Sequence, residues 1–241
     1  MKKRLRVSVR GLVEHCLRSG DLNLESWGPS SPVDAIRAHQ KVQASRGEGY
    51  AKEVSLTHVV ENEHFVLEIG GRIDGVLTEV SRVVIEEIKT TAGDVDARAA
   101  REEPTHWGQL EVYAYIYALQ KELEAVVGRL TYYQLDSGRM RELERHYTLA
   151  ALTEIVNGLV DKYLHWAKRI DDWLGQRNDS IATTEFPFPA YRPGQRELAV
   201  QVDGEPLGVC GPEAALTLAV EPSAVQFVMP QGDNPLFGAG R

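Results

Sequence analysis

The stretch HFVLEIGGRIDGVLTEVSRVVIEEIKTT, residues 64–91, decides the fold. Two runs rich in β-branched and apolar residues flank a short polar connection at 79–82, the pattern of an antiparallel hairpin. The first run, 64–77, reads as a long strand with a kink or bulge at Gly70-Gly71. The second, 82–91, reads as a β-branched strand. Side chains two apart on a strand share a face. Glu87 and Lys89 therefore point one way, and Glu86 and Ile88 the other. Hairpin pairing brings Asp74 beside Glu87, so two carboxylates and one ammonium occupy a small volume. Two carboxylates repel unless something positive compensates them. A hard divalent cation with oxygen ligands, Mg²⁺ or Mn²⁺, does so. Lys89 then has a use: to position or deprotonate a metal-bound water, or to stabilise charge developing on a phosphate. The plainer reading of Glu87 and Lys89 is a surface ion pair.

Working outward, residues 53–60 alternate as another strand. Upstream, a helix is expected at 9–18, capped by Ser8 and stopped by Gly20. A loop rich in Gly, Pro and Ser at 27–32 leads to a polar helix at 33–45. Downstream, a helix at 105–121 keeps a 3.6-residue apolar period. A strand at 125–135, its antiparallel partner at 141–149 and a long helix at 151–174 follow. The order is helix, helix, three strands, helix, two strands, helix. The expected fold class is α/β, with a mixed central sheet flanked by helices rather than a strict βα alternation.

Composition narrows the classes. The 241 residues carry 27 Lys+Arg and 35 Asp+Glu, a formal charge of −8. No apolar run is long enough for a transmembrane helix, so no membrane partner is expected. The basic N-terminus is interrupted by Arg6, Arg10 and Glu14 and does not read as a signal peptide. Two cysteines, Cys16 and Cys210, are too few for a disulfide framework or a four-thiolate iron–sulfur cluster. A cytoplasmic location with free thiols is the expectation. Residues 1–18 hold six cationic side chains against Glu14 alone, a basic end that is either a phosphate contact or a solvated surface.

Further residues extend the hairpin site. His39, on the polar helix ahead of the strands, can supply an imidazole ligand. Gln109 and Tyr113 are four apart on one helix face and can reach a common ligand, or else pack. His106 and Trp107 stand at the start of the same helix, where aromatic groups either stack on bases or pack.

Together these residues resemble the RecB-like branch of the PD-(D/E)XK nuclease superfamily. The resemblance spans residues 7–170. It rests on His39, Asp74 in GRIDG, Glu87-Ile88-Lys89 in EEIKT, and Gln109 and Tyr113 in a Q-x-x-x-Y box. It implies a restriction-endonuclease-like core and a Mg²⁺- or Mn²⁺-dependent deoxyribonuclease. His39, Asp74, Glu87 and the Ile88 carbonyl would bind metal, Lys89 would be the catalytic lysine, and Gln109 and Tyr113 would hold the DNA strand. Glu53 and His106 are weaker candidates. Relatives with four cysteines around an iron–sulfur cluster differ here, where no such cluster is expected.

Residues 186–202, FPFPAYRPGQRELAVQV, look like the entry motif of DinG/XPD-type helicases, where a Gln in the position of Gln195 reads adenine. The phosphate loop G-x-x-x-x-G-K-[S/T] does not follow, so no ATP hydrolysis is expected. The reading is a nuclease domain at 1–176 and an extension at 177–241. The expected activity is that of an exonuclease on DNA ends or single strands in DNA repair or processing, with a separate helicase as a further partner. The alternative is a catalytically silent or weak DNA-binding or docking module of a nuclease–helicase system.

Overall fold

The computed structural model describes residues 2–19 and 32–182 of the chain. The elements in order are β1 (Lys3–Ser8), α1 (Val9–Leu17), α2 (Pro32–Ser45), β2 (Tyr50–Glu61), β3 (Phe65–Thr78), β4 (Val83–Thr91), α3 (Val95–Ala100), α4 (Pro104–Gln120), β5 (Ala125–Gln134), β6 (Met140–Thr148) and α5 (Leu149–Ala182). The mixed α/β class stands, and among the described residues six strands form one sheet. Two units divide the described residues within α5, after Tyr163. In the second, α5 continues from Leu164 with a Lys168–Asp172 ion pair and Arg177 over the Trp173 ring. No helix among the described residues is long and apolar enough to cross a membrane.

Two elements escape the sequence reading. β1 alternates Leu5 and Val7 with cations, and it lies parallel to β3 with Leu5 opposite Leu67. Its charges disguise a strand as a basic tail. Cations in and beside it are answered locally: Arg6 of β1 pairs with Glu68, Lys2 before it with Glu61, and Arg10 of α1 with Glu14. The short helix α3 is capped by Asp94, whose side chain accepts from the Ala97 amide.

The sheet's registers position the site. β2 runs antiparallel along one edge of β3, from Tyr50 opposite Leu77 to Glu61 opposite Val66. The other edge of β3 is shared. β1 occupies Phe65 to Gly70, and β4 occupies only Gly75 to Thr78. Residues 71–74 lie between them with no strand among the described residues on that edge. β4 is parallel to β5 from Val84 to Thr91, with Ile88 opposite Thr131, but past the rung Gly75–Glu86 it leaves β3. The two strands of the hairpin thus part as a fork at Asp74.

Helices cover the two faces. Ser8 caps α1 by accepting from the Gly11 amide at 2.9 Å. Val9, Leu12, Val13 and Cys16 of α1 are buried, and the helix packs on α4. α4 starts with Pro104 at its first turn and buries ten residues from Trp107 to Ala118. A helix that is apolar on all sides belongs between layers, and α4 lies between α1 and the sheet. On the opposite face Ala38 and Val42 of α2 pack on Ile88 and Tyr133. Leu67, Ile69, Ile73, Val84, Ile85, Leu110, Ile116 and Leu130 form the fully buried centre. Each such side chain contributes about 1.5–3 kcal/mol on leaving water.

Candidate active site

The fork brings together the groups singled out in the sequence. Asp74 points into the space where β3 and β4 part. Its Oδ2 accepts from the Ile88 amide at 2.7 Å, and its Oδ1 lies 3.3 Å from His39 Nδ1. Glu87 is buried on the α4 side, 2.8 Å from Lys89 Nζ. Lys89 also donates to Gln109 Oε1 from α4. The alternation of β4 is as the sequence requires, with Glu87 and Lys89 toward α4 and Ile88 toward α2. Both helices reach the fork because it opens the sheet from face to face.

The charges are coupled. Burial raises the Glu87 pKa above its ordinary value; Lys89 works against that rise, Asp74 adds to it, and His39 opposes it. Burial disfavours a charged His39 ring. The hydrogen bond and charge of Asp74, with the charge of Glu87, outweigh it and leave the His39 pKa raised.

A sequence model of the PD-(D/E)XK nuclease superfamily matches residues 10–195. The chain belongs to the PD-(D/E)XK nuclease superfamily. Solved structures similar to this PD-(D/E)XK chain include SSO0001, at 19% identity, covering 66% of this chain and 77% of that one, with a TM-score of 0.43. The alkaline exonuclease LHK-Exo of Laribacter hongkongensis aligns at 12% identity, covering 73% and 95%, with a TM-score of 0.45. A phage-related exonuclease from Haemophilus somnus 129PT aligns at 12% identity, covering 67% and 82%, with a TM-score of 0.35. No curated protein sequence matches significantly.

PD-(D/E)XK nucleases typically use divalent metals such as Mg²⁺. Among the described residues of this member, no three His, Cys, Asp or Glu side chains are gathered as a ready metal cage. Asp74 is turned to His39 and the Ile88 amide, and Glu87 to Lys89. The donor set nevertheless suits such an ion. Two carboxylates, one imidazole and the adjoining Ile88 main-chain carbonyl are ligands for a hard divalent cation. Crowded carboxylates, one of them with a raised pKa, also favour added positive charge.

The remaining residues of the superfamily pattern are engaged with protein. Tyr113 is buried, and its hydroxyl accepts from the Arg72 backbone. It packs so closely on β3 that a Cβ built on Gly71 would lie 2.7 Å from its oxygen, which explains the glycine at that position of β3. His106 Nδ1 bonds to Tyr132 Oη at 2.9 Å. Burial, and then the charges of Lys89, Arg98 and Arg10, push the His106 pKa down to about 3. Glu53 accepts from Gln43 Nε2 at 2.9 Å and pairs with Arg72 at 2.6 Å. Its φ of 53° is the left-handed conformation, rare for a non-glycine residue.

Gln43 is the residue that sequence reasoning missed. It is buried, and its amide donates both to Glu53 and to the Asp74 carbonyl at 2.9 Å. It lies four residues after His39, one turn along α2, and that spacing was the available signal. Residues 183–202, including the helicase-like motif and Gln195, lie outside the described residues, as do Cys210 and most of the 27–32 loop.

Proposed function

We propose that this superfamily member is a metal-dependent deoxyribonuclease of the RecB-like branch, acting as an exonuclease on DNA ends or single strands in repair or processing. The observation that carries the reading is Lys89, held between Glu87 and Gln109 beside the fork that contains Asp74. A half-buried ammonium aimed by a side-chain amide toward paired carboxylates suits phosphodiester hydrolysis better than a surface ion pair does.

In this reading Asp74, Glu87, His39 and the Ile88 carbonyl would hold Mg²⁺ or Mn²⁺. The ion, when bound, polarises the phosphate and lowers the pKa of water. The chain's own residues do the rest. Gln109 fixes the Lys89 ammonium, which stabilises negative charge developing at the phosphate. The Ile88 amide holds the Asp74 carboxylate in its orientation. Tyr113 braces β3 under the DNA strand that Gln109 borders. His106, with its pKa near 3, stays neutral and takes no proton at physiological pH. Neither an iron–sulfur cluster nor ATP has a part in this chemistry. A separate helicase, recognised through the segment after 176, is the proposed partner in the cell.

The test is cleavage of linear and circular DNA, single- and double-stranded, with Mg²⁺, Mn²⁺ or EDTA, beside Lys89→Ala. Metal-dependent loss of linear DNA that vanishes in the variant is the expected result. Binding without cleavage under every condition would make the chain a silent docking module.

A further inference from the structure

We infer that Arg46, Tyr50 and Glu86 form a positioning knot that sets the spread of the fork and so the affinity of the site for a divalent cation. The inference rests on the metal-site reading above.

Glu86 points away from Glu87 and Lys89 and is 1% exposed, although it is a carboxylate on a central strand. Its oxygens are saturated. Arg46 reaches both of them, with Nε 3.1 Å from Oε2 and Nη2 on Oε1. Tyr50 Oη donates to Oε2 at 2.6 Å, and Thr131 Oγ1 to Oε1 at 2.5 Å. Arg46 is pinned in turn by Glu142 at 2.7 Å.

The placement matters more than the bonds. Glu86 precedes Glu87 and forms the last rung with Gly75, beyond which the strands part. Gly75 follows Asp74, and the Tyr50 ring lies so tightly over it that no Cβ fits there. Arg46 comes directly after α2, two turns from His39. One largely buried polar cluster therefore sits beside Asp74 and Glu87 in the chain and two turns along from His39. Its hydrogen bonds and ion pairs run among Arg46, Tyr50, Glu86, Thr131 and Glu142, not to the proposed ligands.

A buried ion pair is a poor source of net stability, because desolvation offsets its attraction. What such a pair supplies is geometry: a bidentate guanidinium fixes both distance and plane. Groups behind metal ligands control affinity by orienting them. The knot has the same relation to the ligands, transmitted through the backbone at Gly75 and Glu87.

The experiment uses the full chain with Arg46→Lys, Glu86→Gln and Tyr50→Phe. Mn²⁺ binding is read from the electron paramagnetic resonance signal of the free ion, beside circular dichroism, melting and the Mg²⁺ dependence of cleavage. In Arg46→Lys and Glu86→Gln, Mn²⁺ is expected to bind about ten- to a hundredfold more weakly. The Mg²⁺ midpoint should rise in proportion, with kcat at saturating metal close to wild type. Tyr50→Phe removes one hydroxyl and should shift affinity in the same direction with the fold intact, so it carries the test if the others do not fold. Variants that melt lower but bind Mn²⁺ like wild type would reduce the knot to a structural role and overturn the inference. Wild type that itself binds no Mn²⁺ would overturn the metal-site reading, and the knot's role with it.

Discussion

The Ile88 amide donates to Asp74 Oδ2 at 2.7 Å, so a side chain of β3 replaces the backbone partner that β4 loses where the strands part. The carboxylate is both a proposed ligand and the peg that holds the fork open. Asp74→Asn separates the two roles. The amide oxygen can still accept from Ile88, while the charge is gone. Cleavage should fall by about a hundredfold or more, with little change in the melting temperature. Asp74→Ala should lose both activity and stability. A large melting shift in Asp74→Asn would mean that the His39 contact, not the Ile88 bond, holds the fork.

Glu87 has a raised pKa, chiefly from burial. A raised acid binds its proton more tightly when folded. Its stabilising effect is therefore present below the ordinary value of 4.5 and lost as pH rises through the folded pKa. Glu87→Gln should accordingly melt higher than wild type at neutral pH in EDTA, with the difference shrinking toward pH 4. The same variant should be inactive, and Mg²⁺ should no longer raise its melting temperature. Melting curves across pH, with and without metal, check all three.

His106 titrates in the opposite sense. Its pKa is pushed down to about 3 from 6.5, so the unfolded chain takes up a proton that the folded one refuses. Stability from this group is complete above pH 6.5 and lost as pH falls toward 3. His106→Gln should narrow the acid sensitivity over that window relative to wild type. The His106 ring resonances should show a neutral imidazole at pH 5. A ring that titrates near 6.5 would contradict the packing against Tyr132 and the surrounding cations.

Gly71 exists for Tyr113. A Cβ there would meet the Tyr113 hydroxyl at 2.7 Å and Cε1 at 2.8 Å. Gly71→Ala should destabilise by about 1–3 kcal/mol and lower cleavage more than Mn²⁺ binding, because it displaces the brace rather than the ligands. Chemical denaturation measures the first effect. Paired binding and activity assays measure the second.

Much of this was legible in the sequence, for a physical reason. β3 and β4 are half- or fully buried strands, so their period-2 pattern fixes the faces of Glu87, Lys89 and Ile88. The hairpin connection brings Asp74 alongside. Other features depend on tertiary placement. Gln43 matters because α2 crosses the fork and because Glu53 adopts a left-handed turn, neither of which a local pattern encodes. Glu86 read only as the back face of a strand, since its partners Arg46 and Tyr50 come from 40 and 36 residues away. β1 was hidden by its cations, of which Arg6 pairs with Glu68 of β3. α3 was too short for a periodicity to emerge.

β3 serves as a ruler for the whole site. It carries β1 and β4 on one edge in fixed succession, and the four residues 71–74 alone set their separation. α1 begins where β1 ends, so the same interval measures how far the first helix stands from the carboxylates. Lengthening or shortening it by one residue would turn Asp74 to the opposite face and move one wall of the cleft without the other. Changes of chain length belong instead at the hairpin connection of residues 79–82, where an added residue leaves that measure untouched.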